Sequence, residues 1–125
     1  ENNTLVNRYE GDGLIISTAN GSTAYSLSAG GPIVHPKVDS IIISPMLPWS
    51  LNSRSLVIDA NSKIEINLTK SSQKALISFD SHTNLSLSKK ERVEVSKSKS
   101  NLKLIHPKGS DFFEACRNKL GWSSS

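Results

Sequence analysis

Between residues 11 and 36 the chain reads GDGLIISTANGSTAYSLSAGGPIVHP, which places seven hydroxyl side chains and five glycines in 26 residues. A structural turn needs one or two such residues. Glycine lets backbone approach backbone or ligand closely, and Ser and Thr offer donors and acceptors without bulk. The combination suits a polar ligand lying along the main chain. Within it, GSTAYSLSAGG resembles the start of a short helix, where unpaired backbone N–H groups attract anions and polar ligand edges. A capped helix with packed serines would explain any one of these residues, but not all of them together. GDG at 11–13 is too short to identify anything alone and reads equally well as a turn.

The elements that must hold this segment are short strands. LVNRY (5–9), LIIS (14–17), IIIS (41–44) and LVI (56–58) have strand length, and the last three are continuous apolar runs expected to be buried or central. Further on the pattern becomes alternation: Ile64, Ile66 and Leu68; Leu85 and Leu87; Val93 and Val95; Leu102 and Leu104. Each set predicts a strand with one face in a core and one in water. The turn clusters DANS (59–62), KSSQK (70–74) and SKKE (88–91) fall between them. A short helix is expected over 22–29, ended by Gly30, Gly31 and Pro32. A stronger one is expected in SDFFEACRNKLGW, with Asp111 as its cap, Glu114 three residues on and Gly121 at its end. The expected fold is therefore mostly β, an antiparallel β-sandwich with one short and one C-terminal helix.

Composition narrows the functional classes. At 125 residues the chain fits one domain, and its 36% hydrophobic and 21% charged residues exclude a disordered chain. No apolar run approaches a membrane span, and ENNTLVNRYE carries no signal core, so a cytoplasmic protein without a membrane partner is expected. The lack of an initiator Met suggests a piece of a longer chain. The net charge of +4 is spread among lysines without aromatic interleaving, which argues against nucleic acid but suits phosphate-bearing small molecules. The lone Cys116 reads as buried filler in a reducing compartment. His35 and His106 each precede Pro, lack metal-ligand spacing and read as structural.

The run DGLIISTANGSTAYSLSAGGPIVHP closely resembles the signature of the C-terminal domain of NAD kinases of the bacterial type. The resemblance extends in order through SPMLPWSLNSRSLVI (44–58), FDSH (79–82) and LIHPKGSDFFEACRNKLGW (104–122). It implies transfer of the γ-phosphate of ATP, or of polyphosphate, to the 2′-hydroxyl of the adenosine ribose of NAD, with Mg2+ assisting. It also implies an N-terminal α/β domain bearing a Gly-Gly-Asp-Gly motif, whose Asp is the catalytic base, and an Asn-Glu pair. Neither motif occurs here, so no catalytic residue is assigned to this chain and no metal ligand is expected in it. Residues 1–110 would be the NAD-binding sandwich, and 111–125 a helix and tail packing on the N-terminal domain. Homodimers or homotetramers are implied as well.

Carried over residue by residue, Asp12 matches an aspartate that contacts the nicotinamide end of NAD. Thr23, Ala24, Tyr25, Ser26, Leu27 and Ser28 match the NAD-contacting run. In that run Thr23 and Ser28 would hydrogen-bond adenosine or its ribose, Ala24 would leave room for the ligand, and Tyr25 would offer a ring face and a phenol. A core aromatic is the plain alternative for Tyr25. His82 falls where relatives place a polar NAD contact, often Gln; a surface-loop His is the alternative, and Asp80 would support that loop. The chain departs from the pattern at Ala19–Asn20, at Glu10 in place of a basic residue, at Trp49 in place of His and at Ser55 in place of Pro. These last two are read as changes in packing or subunit contact. Two rivals stay open: a non-catalytic nucleotide-binding or regulatory module of the same fold, and a related lipid kinase.

Overall fold

The computed structural model describes residues 4–23, 25–69, 75–80, 82–88 and 90–122. Among them the chain is mostly β and every strand pairing is antiparallel, the fold class expected from the sequence. The strands, in chain order, are β1 (Gly13–Thr18), β2 (Ser40–Met46), β3 (Leu56–Asp59), β4 (Ile64–Asn67), β5 (Ala75–Phe79), β6 (Thr83–Leu87) and β7 (Arg92–Val95). They form three ladders, β1-β2-β3, β4-β7 and β5-β6.

The core sits on β2. Its apolar run IIIS is flanked on both edges, and Ile41, Ile42, Ile43 and Ser44 are all buried. Register places Ser17 and Val57 beside Ile42, and Ile15 beside Ser44. Successive side chains leave a strand on opposite faces. Ile15, Ser17, Ile42 and Ser44 therefore share one face, while Ile16, Ile41, Ile43 and Ile58 share the other. β3 departs from expectation: as an edge strand it has one neighbour, and Leu56 and Val57 stay exposed.

In β4-β7 the alternation works as expected. Ile64 pairs with Val95 and Ile66 with Val93 on the more buried face, opposite Glu65, Glu94 and Arg92. Lys97 Nζ lies 2.9 Å from both carboxylate oxygens of Asp39, linking the end of β7 to the start of β2. Of the turn clusters, DANS closes through Ser62 N–H to the Asp59 carbonyl (3.1 Å). KSSQK (70–74) lies outside the described residues. In SKKE, Glu91 N–H donates to the Ser88 carbonyl and the Glu91 carboxylate accepts the Ser88 N–H, both at 3.0 Å. The Ser88 backbone N–H, and after it the Ser88 hydroxyl, hold the Glu91 carboxyl below its ordinary range, against a weak opposing effect of burial. A lowered folded value means that ionised Glu91 stabilises the turn at neutral pH, and this support is lost as pH falls through that value. The Ser88 amide resonance should therefore titrate at a pH below the normal glutamate range, and Glu91→Gln should remove the transition.

Two expected strands do not form. LVNRY (5–9) and NLKLI (101–105) have no regular structure, and Leu5, Val6, Leu102, Leu104 and Ile105 are exposed. Alternation makes a strand only where a neighbouring strand pairs with it, and neither segment pairs with a described strand. Conversely, β5 had not been read as a strand, because ALISF follows the KSSQK cluster without clear alternation.

The C-terminal helix α2 (Phe112–Leu120) forms as expected. Asp111 Oδ1 accepts the Phe113 N–H at 2.9 Å, and Gly121, with φ 69°, ends the helix in the left-handed region. Cys116 is buried, as expected. The short helix expected over 22–29 is present as two pieces, a 3-10 turn (Asn20–Thr23) and α1 (Tyr25–Ser28).

Candidate functional site

The segment that opened the sequence folds back on the sheet it follows. The chain leaves β1 at Thr18, whose hydroxyl accepts the Gly21 N–H at 3.1 Å, and enters the 3-10 turn. It then returns over the face that carries Ile15 and Ser44. Ser22 is fully buried: its hydroxyl accepts the Val34 N–H at 3.0 Å and lies 3.5 Å from the Val34 carbonyl. Ser26, also buried, meets Ser44 Oγ at 3.1 Å, and Ser55 Oγ donates to Ser44 Oγ at 3.0 Å. Ser17 Oγ on the same face is buried without a hydrogen-bond partner. Two of the hydroxyls that suggested a ligand thus face inward, Ser26 tying the turn to β2 and Ser22 tying it to the following loop at Val34.

Gly31 closes the fold-back. Its N–H donates to the Ser26 carbonyl at 2.8 Å, and it is buried. A Cβ there would collide with Ser26 Oγ, with Ser44 Oγ at 2.7 Å and with the Ser26 carbonyl at 2.8 Å. Gly11 has a similar role at the far end of β1, where a Cβ would lie 2.7 Å from the Leu47 carbonyl and 2.9 Å from that of Met46.

The assigned ligand contacts divide into three groups. Thr23, Tyr25, Ser26, Leu27 and Ser28 come together in the fold-back turn; Thr23 and Leu27 are partly exposed, while the Ser26 hydroxyl is committed to Ser44. Ala24 lies outside the described residues. Asp12 is exposed just before β1, its N–H donating to the Met46 carbonyl at 3.0 Å. β2 leads from there into a turn where Leu47 adopts a left-handed φ of 45°. His82 is elsewhere, exposed on the β5-β6 hairpin. Its N–H closes the turn to the Phe79 carbonyl at 2.9 Å, and Asp80 takes a φ of 50°. Asp tolerates that region better than most residues, which supports the loop role assigned to it.

Beside the turn, a cleft of about 240 Å³ is lined by Ala29, Gly30, Pro45, Ser53, Arg54 and Ser55, among others. A second, of about 360 Å³, is lined by Arg8, Glu10, Trp49, Ser50 and Ser53. Ser53 belongs to both walls, so the two clefts adjoin. The first has one guanidinium, Arg54, and no carboxylate in its wall, which suits an anionic group, whereas the second sets Arg8 beside Glu10. Trp49 and Glu10, both departures from the pattern, meet here: Trp49 N–H donates to the Glu10 carbonyl at 2.8 Å.

Sequence reading missed how α2 is fixed. The His35 ring lies 4.8 Å from Phe112 and 5.4 Å from Phe113, and Lys119 Nζ reaches the Thr23 carbonyl at 3.3 Å. The apolar stripe was visible, but its partner, a histidine beyond Gly31, was not. Among the described residues no group of three or more His, Cys, Asp or Glu could hold a metal ion, and no helix is long and apolar enough to cross a membrane.

Fold and site together define an antiparallel β domain that folds a glycine- and hydroxyl-rich turn back over its buried central strand. The chain belongs to the ATP-NAD kinase C-terminal domain family, whose model matches residues 1–107. It is 47% identical to the NAD kinase of Hahella chejuensis over 97% of this chain and 41% of that one. It is 45% identical to the NAD kinase of Legionella pneumophila over 98% of this chain and 42% of that one. The chain thus spans about 40% of the length of these curated relatives. Among solved structures, yeast NADH kinase complexed with NADH superposes with a TM-score of 0.76 at 28% identity, covering 96% of this chain and 38% of that one. An NAD kinase from Archaeoglobus fulgidus in complex with ATP gives 0.66 at 32% identity, covering 75% of this chain and 35% of that one.

Proposed function

We propose that this chain is the NAD-binding part of an NAD kinase, which transfers the γ-phosphate of ATP to the 2′-hydroxyl of the adenosine ribose of NAD to give NADP. The observation that carries the reading is the family match across residues 1–107, which includes the whole fold-back turn. The likeness to a kinase complexed with NADH supports a dinucleotide as the ligand. In this reading the turn 23–28 receives the adenosine end, Asp12 accepts a hydrogen bond from the carboxamide and His82 adds a polar contact. The cleft beside the turn, with Arg54 in its wall, suits a phosphate.

The chemistry left to this chain is positioning. Holding a hydroxyl in line with a phosphoryl donor can remove roughly 7–11 kcal/mol of barrier at best. The catalytic aspartate and the ATP contacts belong, in this reading, to an N-terminal domain outside this chain. Such transfer uses a divalent cation, and among the described residues no group of three or more His, Cys, Asp or Glu gathers to hold one. A cytoplasmic homodimer or homotetramer completes the proposal.

The test is NADP formation by the full-length protein supplied with ATP or polyphosphate, alongside the 125-residue chain alone. The full-length protein should turn over NAD and the isolated chain should not. NAD binding without NADP formation by the full-length protein would favour the non-catalytic module instead. Asp12→Ala should raise KM for NAD about ten- to hundredfold, the worth of a charge-assisted hydrogen bond, while KM for ATP stays within about twofold. Equal changes in both constants would remove Asp12 from the site.

A further inference from the structure

We infer that Ser44 is a positioning residue for the nucleotide site, acting from the sheet through Ser26 to set where the fold-back turn lies. The inference rests on the reading of residues 23–28 as ligand-contacting. Ser44 sits on the most buried strand and is itself fully buried, yet its hydroxyl is central to a chain of three. Ser55 donates to Ser44, and Ser44 and Ser26 share the next bond, in which either hydroxyl can donate. Ser26 in turn is the second residue of α1, and its carbonyl accepts both the Ala29 N–H (3.2 Å) and the Gly31 N–H (2.8 Å). One residue of α1 is therefore fixed by side chain to the sheet and by backbone to the glycine that ends the turn. Displacing it carries Leu27 and its neighbours along.

Ser55 completes the chain from the loop before β3, its hydroxyl donating to Ser44 Oγ at 3.0 Å. Its bond orients the Ser44 hydroxyl. Without Ser44, the Ser26 hydroxyl is buried with no partner on the sheet, a state that folded proteins avoid.

The experiment is steady-state kinetics of the full-length protein, varying NAD and ATP separately, with melting temperatures as a check on folding. Ser44→Ala should raise KM for NAD about five- to tenfold, within the range of coupled buried pairs. KM for ATP and kcat should stay within about twofold. Because Ser44 acts through Ser26, adding Ser44→Ala to Ser26→Ala should change KM for NAD by less than about twofold. Ser55→Ala should give a smaller rise of about two- to threefold, and serves as the readout should Ser44→Ala fail to fold. A Ser44→Ala enzyme with unchanged KM for NAD, equal shifts in both KM values, or effects that multiply in the double variant would each overturn the inference. So would an unchanged KM in Ser55→Ala where Ser44→Ala does not fold. If the unaltered protein turns over no NAD, the proposed function itself fails; if it does and Ser44→Ala behaves like it, only this inference fails.

Discussion

Gly31→Ala is expected to lower kcat/KM for NAD by about a hundredfold or more, the scale on which a displacement of about 1 Å at a positioned substrate is felt. The methyl group has no space to enter. It would meet Ser44 Oγ at 2.7 Å and the Ser26 carbonyl at 2.8 Å, as well as the Ser26 hydroxyl. The serine side chains could rotate, but the carbonyl is backbone, and moving it opens the Gly31-to-Ser26 hydrogen bond and the end of α1. Overpacking of this kind costs about 1–3 kcal/mol of stability, so the variant should still fold while its turn is misplaced. Gly30→Ala is the useful comparison. Nothing lies within 4 Å of a Cβ there, but its φ of 83° strains any other residue. Steady-state kinetics on both variants separate collision from backbone strain. Near-normal NAD kinetics for Gly31→Ala would mean that the turn does not need this close approach.

Ile42→Ala should cost about 2–5 kcal/mol in chemical denaturation. Among the described residues Ile42 is the largest fully buried side chain, placed on the central strand between Ser17 and Val57. Its loss leaves a cavity beneath the fold-back turn, because Ile42 shares a face with Ser44. Val57→Ala is the control: the two residues are register partners, but Val57 is 44% exposed and its truncation should cost well under half as much. A loss below about 1 kcal/mol for Ile42→Ala would mean that the sheet collapses around the gap.

Much of this arrangement was legible in the residues. Three consecutive isoleucines announced β2, alternation announced β4 and β7, and Asp111 with Gly121 marked both ends of α2, because these signals are local. The errors arose where a partner decides the outcome. Leu102 and Leu104 alternate as well as Ile64 and Ile66 do, but only the latter pair finds a neighbouring strand. LVI was read as buried because apolar runs usually are, whereas β3 is an edge. At the site, composition identified the right segment but not which way each hydroxyl points. Ser26 serves the sheet and Ser22 the loop that leads to β2, and their partners Ser44 and Val34 lie 18 and 12 residues away. A serine inside an isoleucine run was the one visible hint of that network, since burying a hydroxyl demands a partner.

The C-terminal helix is fastened at two places, by the aromatic pair against His35 in the loop that follows the turn and by the lysine ammonium on the Thr23 carbonyl within it. Ninety-six residues of sequence separate Lys119 from Thr23, yet one hydrogen bond couples the helix to the turn. Linkage is reciprocal: if the turn binds NAD as proposed, loosening the helix should weaken that binding, and a ligand on the turn should stiffen the helix to the same extent.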